Sequence, residues 1–242
     1  MVNLTDLHNH ILYGVDDGSD SLETSLEIIK QEYEQGVRNI ILTPHFHIGE
    51  CMPKQEKMQE HFEVLQKAVK KQYPDMKLYL GNEVMACNDM PDLLEEGRIL
   101  SLAGSRYVLV EFYPTVREKE MERYLMDLIS GGYIPIIAHC ERYQCLRKKI
   151  GVINREQILH LIEMGVYFQV NATSLLGREK KFVLKMMKEN FLYFIATDAH
   201  STGRRGVYWD ECLKVLEKKF TPGYLQWLLV DNPQKVIEDK YL

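Results

Sequence analysis

The chain has 242 residues, of which 45% are hydrophobic and 27% are charged, and its formal net charge is −5. These values are typical of one soluble globular domain, and the length suits an α/β barrel. The acidic balance argues against a nucleic-acid partner, which would require a basic face. No apolar run approaches the roughly 20 residues that cross a bilayer, so we expect no membrane insertion.

The cysteines indicate a reducing compartment. There are five of them, an odd number without zinc-type spacing, as expected for free thiols rather than a disulfide framework. The start of the chain also lacks the basic and apolar segments of a signal peptide. We therefore predict a cytoplasmic protein.

Short β-like runs alternate with helical patterns along the chain. Six runs each end on a residue type that binds divalent metal, and they cover residues 4–8, 39–45, 77–83, 107–111, 134–139 and 193–198. A seventh run, 166–171, ends on Asn171 instead. The helical patterns cover residues 21–36, 54–73, 118–130, 155–164, 179–190 and 208–219, and two short helices follow at 223–230 and 233–240.

The spacing of the runs predicts the fold class. The runs recur roughly every 30 residues, which is the size of a βα unit, and such alternation implies a parallel sheet. Seven units predict an α/β fold, a distorted TIM-like (β/α)7 barrel. Because no linker or second domain is visible, we expect residues 1–242 to form a single domain. The active site of such a barrel lies at the C-terminal ends of its strands.

Metal-binding side chains stand at the ends of six predicted strands. Residues i and i+2 of a strand face the same way, so His8 can act with His10, and Asp198 with His200. A mononuclear site uses about three or four protein ligands, so the surplus predicts two or three ions that share carboxylates, with Glu83 and Asp198 as bridges. Any one of these residues alone would be read as a hydrogen-bonded or salt-bridged scaffold residue, but eight at equivalent positions favour a cluster. The eight are His8, His10, His45, Glu83, Glu111, His139, Asp198 and His200.

The first and last ligand pairs belong to motifs of a known superfamily. Asp6-Leu7-His8-Asn9-His10 and Asp198-Ala199-His200 resemble the PHP (polymerase and histidinol phosphatase) superfamily. Within it, the Gly-Val-Asp-Asp-Gly-Ser segment at 14–19 and the motifs around the other ligands resemble the manganese-dependent bacterial protein-tyrosine phosphatases linked to capsule or exopolysaccharide synthesis. The resemblance covers nearly the whole chain. It implies the PHP fold and hydrolysis of phosphotyrosine on the tail of a bacterial tyrosine kinase.

The resemblance also implies further site residues. It adds Asp17, which would otherwise be read as part of a turn, as a ninth metal ligand. It implies that Arg142 and Arg205 bind phosphate and act in catalysis, with Arg204 as the alternative to Arg205. The implied cofactor is Mn²⁺, as three ions, with Fe, Zn or Mg as alternatives, and their sharing of the ligands is left open. The oligomeric state is open as well, a homo-oligomer included.

The expected reaction is in-line attack of a metal-bridging hydroxide on the phosphate ester. One alternative keeps the metal centre and changes the substrate to histidinol phosphate or another small phosphate monoester. Another is a thiol-dependent phosphatase that uses Cys140 and Arg147, but six residues separate these two where the thiol signature has five, and none of the six is glycine. A third is an inert binding protein with a vestigial site, which retention of the ligand set and both arginines disfavours.

Two features near the predicted mouth could meet a peptide substrate. Four aromatic residues could stack on a phosphotyrosine ring or pack on the rim; they are Phe46, Tyr113, Tyr143 and Tyr208. The polar segment 46–57 is the candidate for a mobile loop that contacts the peptide.

Overall fold

The computed structural model describes residues 3–149 and 151–242. Within them, the strands are β1 (Leu4–Asp6), β2 (Val37–Leu42), β3 (His45–Phe46), β4 (Lys77–Leu80), β5 (Glu83–Met85), β6 (Tyr107–Glu111), β7 (Ile134–Ile137), β8 (Arg147–Lys149), β9 (Val152–Ile153), β10 (Tyr167–Asn171) and β11 (Phe194–Ala196). The α-helices are α1 (Leu22–Glu34), α2 (Gln55–Gln72), α3 (Met90–Glu95), α4 (Glu118–Ser130), α5 (Arg155–Glu163), α6 (Lys180–Lys188), α7 (Trp209–Leu216), α8 (Pro222–Gln226) and α9 (Asn232–Ile237).

The parallel strands curl into a barrel with seven strand positions, which we call staves. Two of the staves are split, since β3 continues β2 after Thr43 and Pro44, and β5 continues β4 after Gly81 and Asn82. Pairing runs from β1 through β2 to β4, and from β3 through β5, β6, β7 and β10 to β11. The prediction of a TIM-like barrel of seven βα units is therefore confirmed.

The first and last strands close the barrel at its C-terminal end. Asn9 and Ala199 form a parallel bridge. The backbone N–H of Asp198 donates to the His8 carbonyl at 2.8 Å, and that of His10 donates to the Ala199 carbonyl at 2.8 Å. The first and last motifs with predicted ligands are thus hydrogen-bonded to each other.

A buried carboxylate next to this bridge reinforces the closure. Asp6, at the end of β1, accepts hydrogen bonds from the backbone N–H of Thr197 at 2.9 Å and from its hydroxyl at 2.6 Å. Because the same carboxylate also accepts from the Asn9 amide at 3.2 Å, it holds both strand ends.

The split staves follow from local chemistry. Pro44 has no N–H to donate to the strand ladder. The N–H of Thr43 instead donates to the Asn9 carbonyl at 3.0 Å. Asn82 spans the second break, because its amide donates to the Pro44 carbonyl and its oxygen accepts from the Leu100 N–H, both at 2.9 Å.

The core lies between the barrel and its helices. The strand residues Tyr107, Val108, Leu109 and Val110 are all fully buried, as expected of a parallel strand covered on both faces. The predicted helices are present with small shifts at their ends, and the pattern at 223–230 is divided into α8 and a π-helical segment, Trp227–Asp231. Short α3 and the antiparallel β8–β9 hairpin were not predicted. Among the described residues, no helix combines the length and apolarity needed to cross a membrane.

Candidate metal centre

The structure brings the nine predicted metal ligands together at the C-terminal mouth of the barrel. They form four overlapping groups, and within each group the ligand atoms lie within 4.8 Å of one another. The groups are His10, Asp17, His45 and His200; His8, His10 and Asp198; His8, Glu83 and His139; and His45, Glu83 and Glu111. Their role as ligands stays a prediction, but their geometry is that of a shared polynuclear site.

Glu83 lies at the centre of this cluster. Its Oε1 is 2.8 Å from His139 Nε2 and 3.2 Å from His8 Nε2. Its Oε2 is 3.0 Å from His45 Nδ1 and 3.2 Å from His10 Nε2. Within the described part of the chain, this buried carboxylate meets imidazole nitrogens and no backbone N–H or hydroxyl donor. Imidazole ligands suit divalent ions such as Fe and Zn, and carboxylate ligands suit Mn as well.

Two neighbouring side chains orient the imidazoles of His8 and His139. His8 Nδ1 is 3.1 Å from Gln169 Oε1, and His139 Nδ1 is 3.1 Å from the Tyr143 hydroxyl. Fixing the Nδ1 of a histidine in this way turns its Nε2 towards a metal. Sequence reasoning missed Gln169, although it stands two residues before the end of the seventh predicted strand and therefore faces the same side as Asn171.

Asp16 plays the same part for His10. Its Oδ2 lies 2.7 Å from His10 Nδ1 and accepts the backbone N–H of His45 at 3.0 Å. The turn that carries Asp16 packs tightly, because a Cβ at Gly18 would lie 2.0 Å from the His10 carbonyl oxygen. Only glycine fits there, which explains the Asp-Asp-Gly order of this segment.

Contacts between the histidines and carboxylates of the cluster shift their pKa values towards the charged forms. Burial works against the charged form of His139, but hydrogen bonds to Glu111 and Glu83 raise its pKa to about 9. For His10 burial likewise works against the charged form, but the charge of Asp16 and the hydrogen bonds to Asp16, Asp198 and Glu83 together raise the pKa well above its usual value. Burial works to raise the pKa of Glu83, but its contacts with the surrounding histidines together lower it well below the usual value. Ion binding must therefore displace protons from imidazoles.

Two of the predicted ligands have strained backbones. His139 has a φ of 30° and Asp198 a φ of 54°, in the left-handed region that side chains other than glycine seldom adopt. Each such residue costs about 1–3 kcal/mol and persists where its surroundings hold it. The N–H of His139 is held by Gln169 Oε1 at 2.7 Å.

Both predicted phosphate-binding arginines reach the cluster. Arg142 Nη2 donates to Asp198 Oδ2 at 2.5 Å, and Arg205 Nη1 donates to Asp17 Oδ2 at 3.0 Å. Their side chains are 42% and 47% exposed, so each guanidinium also faces the mouth. Across residues 3–149 and 151–242, Arg204 takes part in no side-chain hydrogen bond or ion pair. The geometry thus favours Arg205 over Arg204.

The thiol-dependent alternative does not fit the structure. Cys140 is fully buried, and burial raises the pKa of its thiol well above the usual value. Arg147 points elsewhere and donates to Glu179 at 3.0 Å. Cys140 is therefore a core residue, without the thiolate and the arginine that such a mechanism needs.

The predicted rim residues divide into two kinds. Phe46 and Tyr143 are buried and cannot stack on a substrate ring; Phe46 packs in the core, and Tyr143 contacts His139. Tyr113 is 57% exposed, and its hydroxyl lies 3.2 Å from His47 Nε2. Tyr208 donates to the Gly203 carbonyl at 3.0 Å. Segment 46–57 contains a tight turn closed by His47 and Cys51, and its mobility stays a prediction.

Known proteins resemble the chain over almost its full length. It is 31% identical to the tyrosine-protein phosphatase CpsB of Streptococcus pneumoniae, covering 99% of this chain and 100% of that protein. It is also 31% identical to the tyrosine-protein phosphatase YwqE of Bacillus subtilis, covering 98% of this chain and 92% of that protein.

Solved structures agree with this relationship. One from work on YwqE and CpsB, described as unique metal-dependent tyrosine phosphatases, superposes with a TM-score of 0.88 at 30% identity and covers 99% of this chain and 96% of that one. The phosphotriesterase homology protein of Escherichia coli superposes with a TM-score of 0.61 at 13% identity, over 97% and 98% of the two chains, and shares the fold alone. The family described as "Capsular polysaccharide synthesis, CpsB/CapC" matches residues 4–238. The predicted family is therefore confirmed, and the chain belongs to the CpsB/CapC family.

Proposed function

We propose that this chain is a metal-dependent protein-tyrosine phosphatase that hydrolyses phosphotyrosine on a bacterial tyrosine kinase of capsule or exopolysaccharide synthesis. The observation that carries the proposal is the contact of Arg142 and Arg205 with carboxylates of the cluster around Glu83. A polynuclear metal centre flanked by two half-exposed guanidinium groups is suited to a phosphate monoester. The family relationship and the names of the relatives agree with this activity.

The nine clustered residues would hold the ions, which we propose to be three Mn²⁺, with Fe, Zn or Mg as alternatives. Bound divalent ions supply Lewis acidity and an activated water at neutral pH. Asp16, Gln169 and Tyr143 keep the Nε2 atoms of their histidine partners directed at the centre.

The arginines bind the substrate phosphate. A planar guanidinium donates two parallel hydrogen bonds to phosphate oxygens. These hydrogen bonds position the ester for in-line attack and offset the negative charge on the phosphoryl oxygens in the transition state. The phenolate of tyrosine is a fairly good leaving group, with a pKa of about 10, so the reaction does not require a dedicated general acid. Exposed Tyr113 offers a ring at the mouth that can stack on the phosphotyrosine ring.

The remaining features of the function are proposals of the same kind. The partner is the tyrosine-phosphorylated tail of the kinase, and the protein acts in the cytoplasm. Residues 1–242 form a single phosphoesterase domain. The alternative substrate is histidinol phosphate or another small phosphate monoester, for which the same metal centre would serve.

A substrate comparison tests the proposal. The protein is stripped with chelator, and hydrolysis of a tyrosine phosphopeptide and of histidinol phosphate is followed before and after Mn²⁺ is added. We expect Mn²⁺-dependent hydrolysis of the phosphopeptide at the higher kcat/KM. Turnover of histidinol phosphate with the phosphopeptide untouched would overturn the substrate assignment.

A further inference from the structure

A pocket opens beside the metal centre, between the ends of β5 and β6 and the first half of α4. Its volume is about 220 Å³, and we call it the side pocket. This is below the roughly 300 Å³ at which pockets for drug-sized ligands begin, so it suits a single side chain. The residues that line it include Met85, Phe112, Tyr113, Val116, Glu120 and Tyr124.

The side pocket shares a wall with the metal centre. Met85 stands opposite the predicted ligand Glu111 in the register of β5 and β6, and it faces the same side of β5 as Glu83. The N–H of Ala86, which also lines the pocket, donates to the Glu111 carbonyl at 2.8 Å. The side pocket and the end of β6 that carries Glu111 are thus neighbours along the mouth.

An exposed aromatic residue forms the edge of the pocket on the side of the mouth. Tyr113 lines the pocket, and its hydroxyl lies 3.2 Å from Nε2 of His47, two residues after the predicted ligand His45. This pair spans from the pocket to the segment that follows β3. A peptide that crosses the mouth here would meet Tyr113 before the pocket.

The chemistry of the lining selects the occupant. Phe112 and Tyr124 form two aromatic walls, tilted by 50° to each other with ring centroids 6.5 Å apart, and Met85 and Val116 add apolar surface. Glu120 is the one charged residue among the lining residues, and it is exposed. The pocket therefore suits an apolar side chain and disfavours an acidic one.

We propose that the side pocket is a specificity subsite for an apolar side chain two residues from the phosphotyrosine of a peptide substrate. The inference rests on the proposed function. Residues i and i+2 of an extended peptide point to the same face, about 6.6 Å apart. A peptide that presents its phosphotyrosine to the metal centre therefore presents its second neighbour to the side pocket.

Peptides that differ at one position test the proposal. Short glycine-rich phosphotyrosine peptides carry Gly, Leu or Glu two residues before or two residues after the phosphotyrosine. On one of the two sides we expect Leu to raise kcat/KM about tenfold over Gly, and Glu to lower it. Equal kcat/KM for Gly and Leu on both sides would overturn the subsite and leave the proposed function standing.

Two variants connect that preference to the pocket. Val116→Trp fills the pocket, so the Leu-to-Gly ratio should fall to near one, whereas Val64→Trp at an exposed position of α2 should keep the ratio of the unmodified protein. Glu120→Gln changes an exposed side chain, and it should raise kcat/KM for the Glu peptide relative to the Gly peptide. A Leu preference unchanged in Val116→Trp would overturn the proposal, as would an unchanged Glu-to-Gly ratio in Glu120→Gln. Turnover of histidinol phosphate without cleavage of any phosphopeptide would overturn both the subsite and the proposed function.

Discussion

His10 Nδ1 lies 2.7 Å from Asp16 Oδ2, a carboxylate–imidazole pair that leaves His10 Nε2 facing Glu83 and Asp198. Asp16 is itself held in place, since it also accepts the N–H groups of Gly18 and His45. The pair fixes both the tautomer and the ring angle of a predicted ligand. Metal affinity should therefore depend on a residue that contacts no ion.

The first prediction is that Asp16→Asn weakens Mn²⁺ binding about 10- to 100-fold. The amide keeps the shape of the side chain but loses the charge that favours the metal-binding tautomer. Activity measured against Mn²⁺ concentration should shift to higher concentration with little change at saturation. Asp20→Asn, at an exposed position just before α1, is the control and should bind as the unmodified protein does. Equal affinity in the two variants would contradict the role of Asp16.

The second prediction separates two adjacent arginines. Arg205→Ala should lower kcat/KM for a phosphopeptide about 100-fold, because it removes a donor aimed at charge that develops on the phosphate. Arg204→Ala should leave kcat/KM unchanged, since Arg204 is exposed and lies outside the ion pairs of the cluster. Steady-state kinetics at saturating Mn²⁺ measure both. A larger loss in Arg204→Ala would reverse the assignment.

The third prediction is that Mn²⁺ binding releases a proton from His139. Contacts with Glu111 and Glu83 raise the pKa of His139 to about 9 in the metal-free protein, so this imidazole is protonated at pH 7.5. Mn²⁺ can bind only the neutral ring, so binding should release this proton, and affinity should rise with pH up to about 9. Calorimetric titration in buffers of different ionisation enthalpy counts the released protons. His139→Gln should lower the count by about one at pH 7.5, and an unchanged count would contradict the assignment.

The same raised pKa affects the stability of the metal-free protein. A histidine whose pKa is higher in the folded than in the unfolded state stabilises the fold fully below the unfolded value of roughly 6.5. That contribution is lost as the pH rises through about 9. Denaturant unfolding of the chelated protein should therefore show less stability at pH 9 than at pH 6.5, and His139→Gln should reduce the difference.

The fourth prediction distinguishes a metal-dependent from a thiol-dependent mechanism. Cys140→Ser should keep its kcat at saturating Mn²⁺ and lose about 1–3 kcal/mol of stability, because a hydroxyl replaces a buried thiol. Chelator should abolish the activity of both proteins, and Mn²⁺ should restore it. Kinetics and thermal unfolding are followed on the same samples. A folded but inactive Cys140→Ser variant, together with an unmodified protein that stays active in chelator, would restore the thiol mechanism.

Much of the barrel and of the metal centre could be predicted from the sequence because both depend on local patterns. Eight of the nine predicted ligands end or closely follow a short apolar run, and parallel strands bring such positions to one end of a barrel. The ninth, Asp17, depends on the family resemblance. The partners of the ligands could not be predicted in the same way. Gln169 contacts His8 at a separation of 161 residues, and no local pattern encodes such a contact. The same limit explains why Tyr143 could be read as a substrate-stacking ring when it is a buried partner of His139.

Irregular elements were the other source of error. The breaks at Thr43–Pro44 and Gly81–Asn82 divide two predicted strands, and their hydrogen bonds go to Asn9 and Leu100 in other parts of the chain. Helix α3 has six residues and the strands of the β8–β9 hairpin have two or three, too few for a periodic pattern to emerge.

The closure of the barrel by its first and last strands imposes an order on maturation. Asp6 and Thr197 are joined across 191 residues, and the ligand motifs that follow them meet only when the final stave is in place. A nascent chain on the ribosome therefore holds His8 and His10 without Asp198 and His200 for most of its synthesis. The predicted centre can assemble only after nearly all of the polypeptide has emerged, so we expect full metal loading to be a late, post-translational step.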